Sequence, residues 1–217
     1  HYDLSTEAGE RLGKSDETIW MEYPRPQMKR ESWMSLNGTW KLDGDEIRVP
    51  FPPQSQLSNY GKKVKDTFTY EKKFTVSDEL KGERILLHFD AVDQIAEVIL
   101  NGKSLGTHEG GYLRFTFDVT DSIKRVGENT LQVRVDDKLD LDYPYGKQCK
   151  KRGGMWYTSV SGIWKNVWLE AVPDKYIESV KLTPNLTGVD IELFGNVSSF
   201  EVSVKMPDGT TSEKDIE

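Results

Sequence analysis

The sequence predicts an all-β protein, and three features indicate this class. Short segments in which apolar and polar residues alternate recur along most of the 217 residues, which is the pattern of half-buried strands. Turn-forming pairs such as Asn101-Gly102 and Gly110-Gly111 separate these segments, and Asn-Gly favours a type I′ hairpin. No segment shows the period of about 3.6 residues that marks a convincing amphipathic helix. Many short strands joined by such turns predict a β-sandwich.

The elements follow one another in a clear order. The first 30 residues lack periodicity and end in the proline-rich stretch Tyr23–Gln27, so we expect an extended arm laid over a surface rather than a helix. A second proline-rich stretch, Val49–Pro53, predicts an irregular excursion to about Lys65, and Val76–Lys81 is the only place where one helical turn is expected. Strands are predicted at residues 36–42, 68–76, 84–89, 96–100, 103–108, 110–119, 130–135 and 164–172. The predicted core includes Leu113, Phe115, Phe117, Leu131, Val133 and Val135, with Arg114 and Thr116 facing solvent.

A break at Pro173-Asp174 divides the chain. Three more strands are predicted after it, at residues 177–182, 189–194 and 200–206, followed by a turn at Pro207-Asp208-Gly209. The chain is therefore divided into an arm (1–30), a sandwich (31–173) and the beginning of a second sandwich (174–217), which is too short for a complete one of roughly 100 residues.

Composition excludes several classes of protein. The net charge of −7 argues against binding to nucleic acid or to an anionic membrane. No apolar run approaches the roughly 20 residues that span a bilayer. The single cysteine, Cys149, rules out an internal disulfide and a cysteine-based metal site. A cytoplasmic location is favoured, while the N-terminus without a starting Met leaves export open.

Catalytic and metal-binding patterns are not found, so we predict neither metal nor cofactor. His1, His88 and His108 lack the spacing of metal ligands, and structural roles are expected for the latter two. Ser161 has no nucleophile-elbow context. Cys149 lies among lysines, which can activate a thiol, but an incidental surface cysteine is the favoured interpretation.

Four separated motifs resemble one family, and the fourth, Pro144–Gln148, is similar to its PRGKQ. Val98–Thr120 resembles the core of the N-terminal sugar-binding domain of glycoside hydrolase family 2, where the pattern is NG..LG.H.GGY..F.FDVT. Trp156–Glu170 is similar to the family's WYT..SGIW..VWLE, and residues 50–59 to its PF.PES.LSG. The family includes β-galactosidases, β-glucuronidases and β-mannosidases. The resemblance implies a galactose-binding-domain-like jelly roll for residues 31–173 and the start of an immunoglobulin-like sandwich for residues 174–217.

The resemblance also implies a function. A retaining glycosidase needs two carboxyl groups about 5–5.5 Å apart. In this family both are glutamates on a downstream (β/α)₈ barrel, and this sequence contains no βα unit. The chain is therefore predicted to bind and position a β-linked sugar or oligosaccharide for that barrel domain of the same polypeptide, without catalytic residues of its own. A free-standing carbohydrate-binding module and a structural β-sandwich are the alternatives, and a homo-oligomer is left open.

Two loops supply the candidate substrate-binding residues. The resemblance implies that the loop before Ser161-Gly162-Ile163 reaches the active site, and that the loop at residues 50–59 approaches it. An aromatic ring can stack on a sugar, while Lys, Gln and Arg can hydrogen-bond to hydroxyls. The candidates are Lys147, Gln148, Arg152, Trp156, Tyr157, Gln54 and Ser55.

The same loops depart from the family pattern. The family's loop aspartate has no counterpart in Gly153–Tyr157, Tyr145 stands where arginine is usual in PRGKQ, and Gln54 stands where glutamate is common. These departures leave the sugar specificity open. A core position remains an alternative for Trp156, and Trp164 and Trp168 are expected to fill a core or an inter-domain seam.

Overall fold

The computed structural model describes residues 5–151 and 153–216, with side chains described as far as residue 211. One α-helix, one 3₁₀ helix and eighteen strands follow one another within these ranges. They are α1 (Glu7–Gly13), β1 (Trp33–Ser35), β2 (Gly38–Leu42), β3 (Asp45–Val49), the 3₁₀ helix (Gln56–Ser58), β4 (Thr67–Thr75), β5 (Arg84–Phe89), β6 (Val92–Asp93), β7 (Ile95–Leu100), β8 (Lys103–Glu109), β9 (Phe115–Asp118), β10 (Glu128–Asp136), β11 (Gln148–Cys149), β12 (Tyr157–Thr158), β13 (Gly162–Ile163), β14 (Val167–Val172), β15 (Ile177–Pro184), β16 (Val189–Gly195), β17 (Phe200–Lys205) and β18 (Thr211–Ile216). The all-β class is confirmed.

Two sheets form the sandwich. A four-stranded sheet has the order β1-β14-β5-β9, and a six-stranded sheet has the order β3-β2-β4-β10-β7-β8. Both sheets contribute to one apolar core, in which Leu131, Val133 and Val135 of β10 are fully buried, as predicted from their alternation. Two short pairs, β13 with β6 and β11 with β12, lie outside these sheets. This arrangement is the galactose-binding-domain-like jelly roll.

The hairpin β7–β8 matches its sequence signal. Asn101 and Gly102 have φ values of 53° and 82°, and Leu100 pairs with Lys103 across them. Positive φ at both central residues is the type I′ conformation, which Asn and Gly adopt with little strain. The local sequence therefore favours this turn, and the Asn101 side chain also fixes it to the segment before β10 by donating to the Ser122 oxygen at 2.8 Å.

The predicted strand at residues 110–119 is wrong at its beginning. Strand β9 covers only Phe115–Asp118, and Leu113, which was predicted to be in the core, is 70% exposed. Gly111 packs so closely on the Asp93 carboxyl that a Cβ there would overlap it. The alternation reaches the core only from Phe115, which is buried, and Phe117, which packs partly buried on the core.

The N-terminal arm contains a helix that the sequence did not predict. Helix α1 begins after Thr6, whose hydroxyl accepts a hydrogen bond from the Gly9 N–H at 3.1 Å. Seven residues make only two turns and none of them is buried, so no apolar period could have revealed it. The prediction of an arm without a helix is therefore wrong for Glu7–Gly13.

Residues 23–30 of the arm lie over the outer face of the four-stranded sheet. Glu170 of β14 is fully buried there and accepts a hydrogen bond from the hydroxyl of Tyr23. Arg25 and Arg30 place their guanidinium groups 3.8 and 3.9 Å from the same carboxylate. Trp168 is also buried on this face and stacks on His88, so this tryptophan fills a packed layer as expected.

The last part of the chain consists of two antiparallel hairpins, β15–β16 and β17–β18, each a separate two-stranded sheet. Arg25 donates to the backbone oxygen of Glu178 at 2.9 Å, and Arg30 donates to that of Ile177. The arm therefore connects the jelly roll to the first of these hairpins. Their assignment to an immunoglobulin-like sandwich stays a prediction. Within the described ranges, no helix has the length and apolar character needed to cross a bilayer.

Candidate functional site

A cleft of about 370 Å³ opens at one end of the jelly roll. Its walls come from the loop that follows β3, the segment before β4, strand β6 and the segments on either side of β11 and β12. The lining residues are Gln54, Lys62–Asp66, Asp93, Gln94, Asp137–Asp140, Tyr143, Tyr145, Gln148, Lys150 and Thr158–Ser161. Two of the sequence-predicted residues, Gln54 and Gln148, are among them.

Both glutamines hold the wall of the cleft together. Gln54 donates to the hydroxyl of Ser161 at 2.5 Å and accepts from the Ser161 N–H at 3.2 Å, so it fastens the loop after β3 to the segment that enters β13. Gln148 accepts from the Val160 N–H at 2.7 Å and donates to the Tyr145 oxygen at 3.0 Å. Their amide groups are thus engaged with the protein and position the two loops beside each other.

The aromatic loop, which we define as Gly153–Thr158, lies next to the cleft and lines an open depression together with Lys147. Trp156 is 47% exposed and Tyr157 is 65% exposed. The loop is held by its backbone, since Trp156 donates to the Gly153 oxygen at 3.2 Å and Tyr157 donates to the Lys147 oxygen at 2.9 Å. Trp156 is therefore a surface residue and not part of the core.

The remaining predicted residues have other positions. Ser55 precedes the 3₁₀ helix and accepts from the Leu57 N–H at 3.2 Å, so its hydroxyl serves as a cap. Arg152 lies outside the described residues. Trp164 is half-buried and donates to the Gly111 oxygen at 2.8 Å, which helps to fix the turn before β9.

Two carboxyl groups of the cleft were missed by the sequence analysis. Asp93 lies in β6 with 7% of its surface exposed, and Asp137 directly follows β10. Burial raises the pKa of Asp93 to about 6. Burial, and then the charge of Asp93, raise the pKa of Asp137 to about 7, although the Ser161 hydroxyl acts in the opposite direction. Such groups are typical of binding and catalytic sites.

A weak sequence signal for this pair did exist. Both aspartates stand at the ends of apolar strand segments, where a solvated carboxylate is less expected than in a turn. Asp136 pairs with Ile95 across β10 and β7, and this register brings Asp137 to the end of the sheet where Asp93 lies. The two carboxyl groups are about forty residues apart in sequence, and they come close only because β10 pairs with β7.

Other reactive side chains are accounted for by packing. His108 stacks on Phe115 with ring centroids 4.2 Å apart, and His88 is buried against Trp168. The Cys149 thiol is partly buried and lies 3.1 Å from the Lys151 oxygen. In the part of the chain that the structure describes, no three His, Cys, Asp or Glu side chains come together as metal ligands.

Known proteins resemble this chain in sequence over part of their length. A β-galactosidase from Thermoanaerobacter pseudethanolicus is 33% identical over 153 residues, which cover 67% of this chain and 20% of that protein. A β-glucuronidase from Bacteroides fragilis is 35% identical over 117 residues, which cover 49% of this chain and 17% of that protein. The chain thus spans about a fifth of the length of these relatives.

Solved structures and a family description agree with these relatives. The β-glucuronidase of Ruminococcus gnavus superimposes with a TM-score of 0.69 at 21% identity, over 90% of this chain and 40% of that one, which shows a common fold. The description "Glycosyl hydrolase 2 galactose-binding domain-like" matches residues 47–163. This match includes both walls of the cleft and the aromatic loop. The chain therefore belongs to glycoside hydrolase family 2, and its jelly roll is the galactose-binding-like N-terminal domain of that family.

Proposed function

We propose that this chain is the sugar-binding portion of an enzyme that hydrolyses β-glycosides, and that it has no hydrolytic activity alone. The relatives that cover it are β-galactosidases and β-glucuronidases, which supports a parent enzyme of this class. In the whole protein, a barrel domain supplies the catalytic carboxyl groups and the remaining walls of the substrate pocket. The jelly roll contributes one wall of it.

One observation carries this proposal. The aromatic loop exposes Trp156 and Tyr157 without any core role, while Gln54 holds the segment that follows the loop against the cleft. Exposed rings on an ordered loop beside a polar cleft suit a pyranose, whose apolar face stacks and whose hydroxyls hydrogen-bond. The end of the sandwich that bears the cleft and this loop is therefore the surface that meets the sugar.

The isolated chain is expected to show no turnover of p-nitrophenyl β-galactoside or β-glucuronide above the buffer blank. Asp93 and Asp137 are a carboxyl pair in the cleft, but the catalytic glutamates of this family lie on a (β/α)₈ barrel. The α-helix of the described residues precedes every strand, so these residues contain no βα unit of such a barrel. Release of p-nitrophenol by the purified 217-residue protein is the measurement. Turnover that disappears in Asp137→Asn would show that the pair is catalytic and would contradict this expectation.

Replacing Trp156 by alanine is expected to weaken sugar binding while leaving the melting temperature of the chain within about 2 °C. The ring is half exposed, so its loss removes a contact surface and leaves no cavity. Titration of the isotope-labelled protein with methyl β-glycosides, followed by NMR, should show at least about threefold weaker binding, which is the loss of one stacking contact.

Trp20→Ala is the matched control, because Trp20 is 49% exposed on the arm and does not line the cleft. It should leave sugar binding unchanged. If Trp156→Ala instead abolishes the melting transition, the ring is a core residue. If both variants bind sugar equally well, the aromatic loop has no part in recognition.

A further inference from the structure

We infer that the cleft and the aromatic loop take a saccharide that carries a sulfate or phosphate ester, because lysines and hydroxyl groups that are unpaired among the described residues line both surfaces. Sulfate and phosphate esters share one chemistry, since each is a tetrahedral anion. The inference rests on the proposed function and specifies the substrate class of the same site.

The cleft and the depression beside the aromatic loop form one continuous surface, because Thr158 lines both of them. Lys147 lines the depression, and five more lysines line the cleft. These five are Lys62, Lys63, Lys65, Lys138 and Lys150. A chain with a net charge of −7 therefore gathers positive charge at this end of its sandwich.

Three of these lysines, Lys63, Lys65 and Lys147, form no ion pair in the described part of the chain, and all three are exposed. The other three pair with exposed aspartates, Lys62 with Asp45 at 2.5 Å, Lys138 with Asp136 at 3.4 Å and Lys150 with Asp66 at 3.4 Å. Exposed pairs contribute little free energy, so an incoming anion can compete with the aspartates for these lysines.

Neutral donors stand among the lysines. The cleft is also lined by four side chains with hydroxyl groups, Tyr143, Tyr145, Thr158 and Ser159. Within the described ranges, none of these hydroxyl groups makes a hydrogen bond to the protein. Each of them can donate one hydrogen bond, and a hydrogen bond to an ionised acceptor is stronger than one between neutral groups.

The type of cation favours a tetrahedral anion over a planar carboxylate. Among the described residues, no arginine lines the cleft or the depression. The guanidinium group of arginine is a planar fork that matches a carboxylate, whereas the ammonium group of lysine is a compact point charge. An ester of phosphate presents three acceptor oxygens, and an ester of sulfate has the same shape. Several separate lysines and hydroxyl groups can therefore contact one such ester.

The acidic residues of the cleft only partly offset the lysines. Burial raises the pKa of Asp93 to about 6, and burial followed by the charge of Asp93 raises the pKa of Asp137 to about 7. Near neutral pH both groups are thus uncharged for part of the time, and a protonated carboxyl group can donate a hydrogen bond to an anion. The other two aspartates of the lining are Asp66, which pairs with Lys150, and Asp140.

The test compares methyl β-D-galactopyranoside with its 3-, 4- and 6-sulfates and its 6-phosphate. Each ligand is titrated into the isotope-labelled 217-residue protein at about pH 6.5 and low salt, and the NMR shifts of the amides of residues 158–161 report binding. We expect at least one ester to bind about fivefold or more tightly than the neutral glycoside, and this ratio should fall at high salt. Whether a sulfate or the phosphate binds more tightly identifies the ester that the site takes.

Methyl β-D-galactopyranosiduronate is the control for shape, because it carries the single negative charge of a sulfate ester on a planar group. It should bind at least about twofold more weakly than the best ester, since its two oxygens lie in one plane and meet fewer of the separate donors. Equal or tighter binding of this ligand would show that the site responds to charge alone and would overturn the inference.

Variants assign the preference to the unpaired lysines. The triple variant Lys63→Gln, Lys65→Gln, Lys147→Gln should reduce the ratio for the best ester to less than about twofold. The three side chains are exposed, so the melting temperature should stay within about 2 °C. The matched control removes the same charge from three exposed lysines that line neither surface, Lys41, Lys103 and Lys205, and should keep the ratio.

The remaining outcomes separate the inference from the proposed function. If no ester binds more tightly than the neutral glycoside, the inference is overturned while the proposed function stands. A ratio that survives in the triple variant, or that falls equally in the control, also overturns it, because the preference then comes from elsewhere or from net charge. Absence of shifts at residues 158–161 with every ligand, up to its solubility, overturns the inference and counts against the proposed sugar contact itself.

Discussion

Replacing Glu170 by glutamine is expected to lower the free energy of unfolding by about 3 kcal/mol, because the substitution leaves two largely buried arginines without their anion. The carboxylate is fully buried and lies 3.8 Å from Arg25 and 3.9 Å from Arg30, and it accepts a hydrogen bond from Tyr23. Glutamine keeps the shape of the side chain but cannot balance the two positive charges. Urea unfolding of both proteins at neutral pH measures the difference.

The loss of stability in Glu170→Gln should extend beyond the substituted residue to the arm and to β15. Arg25 and Arg30 also donate to the backbone oxygens of Glu178 and Ile177 at the start of β15. In Glu170→Gln both arginines remain but lose the anion beside them, so the arm and the start of β15 should be held more weakly. Hydrogen exchange should therefore become faster in both segments, while β10 in the core keeps its protection.

The pH dependence of this effect has a definite sign. Burial alone would raise the pKa of Glu170, but the hydrogen bond and charge of His88, the hydrogen bond of Tyr23 and the charge of Arg25 together lower it to about 2. A carboxyl group with a lowered pKa stabilises the fold above its unfolded pKa of about 4.3 and loses this contribution as the pH falls towards 2. The two proteins should therefore converge in stability in acid.

Asp118→Asn is the matched control. Asp118 pairs with Arg84 at 2.6 Å on the surface of the same sheet. The two side chains are 39% and 34% exposed. Exposed pairs contribute little, so a loss of less than about 1 kcal/mol is expected. Equal losses of unfolding free energy in the two variants would show that the buried ion pairs of Glu170 stabilise the fold no more than the exposed pair of Asp118.

The sandwich itself was predictable wherever the sequence signal is local. Asn101-Gly102 favours its turn through backbone conformation, and the alternation of Leu131, Val133 and Val135 identifies the buried face of β10. Leu113 continues the alternation of β9 and is nevertheless exposed. The preceding residue Gly111 packs on Asp93 of β6, a contact that residues 110–119 by themselves do not reveal.

The residues of the candidate site also fall into those that the sequence indicated and those that only the folded structure reveals. Trp156 and Tyr157 were candidates because their loop resembles the family's loop, while the sequence left a core position open for Trp156; the structure exposes both rings. Asp93 and Asp137 carry no motif; burial raises the pKa of both groups, and the charge of Asp93 raises the pKa of Asp137 further. Both of these arise from strand register and can be recognised only after the sheets have formed.

Gly162 is a position where a single added methyl group is expected to destabilise the fold strongly. Its φ is 71°, and a Cβ there would lie 2.5 Å from the hydroxyl oxygen of Tyr70 and 3.0 Å from the ring of Phe68. Tyr70 is fully buried and cannot move without displacing its neighbours. Gly162→Ala should therefore lower the free energy of unfolding by about 3 kcal/mol, from backbone strain and overpacking together.

Gly127→Ala separates these two causes, because Gly127 has a φ of 91° and open space around it. This control should lose only about 1 kcal/mol, the strain of a positive φ alone. The difference between the variants, measured by urea unfolding, is then the overlap with Tyr70. Since Gly162 follows Ser161, whose hydroxyl is held by Gln54, Gly162→Ala should also shift the NMR signals of the cleft. Equal losses of unfolding free energy at the two glycines would mean that Tyr70 moves to make room for the added methyl group. The packing beneath the cleft would then not fix the shape of the cleft.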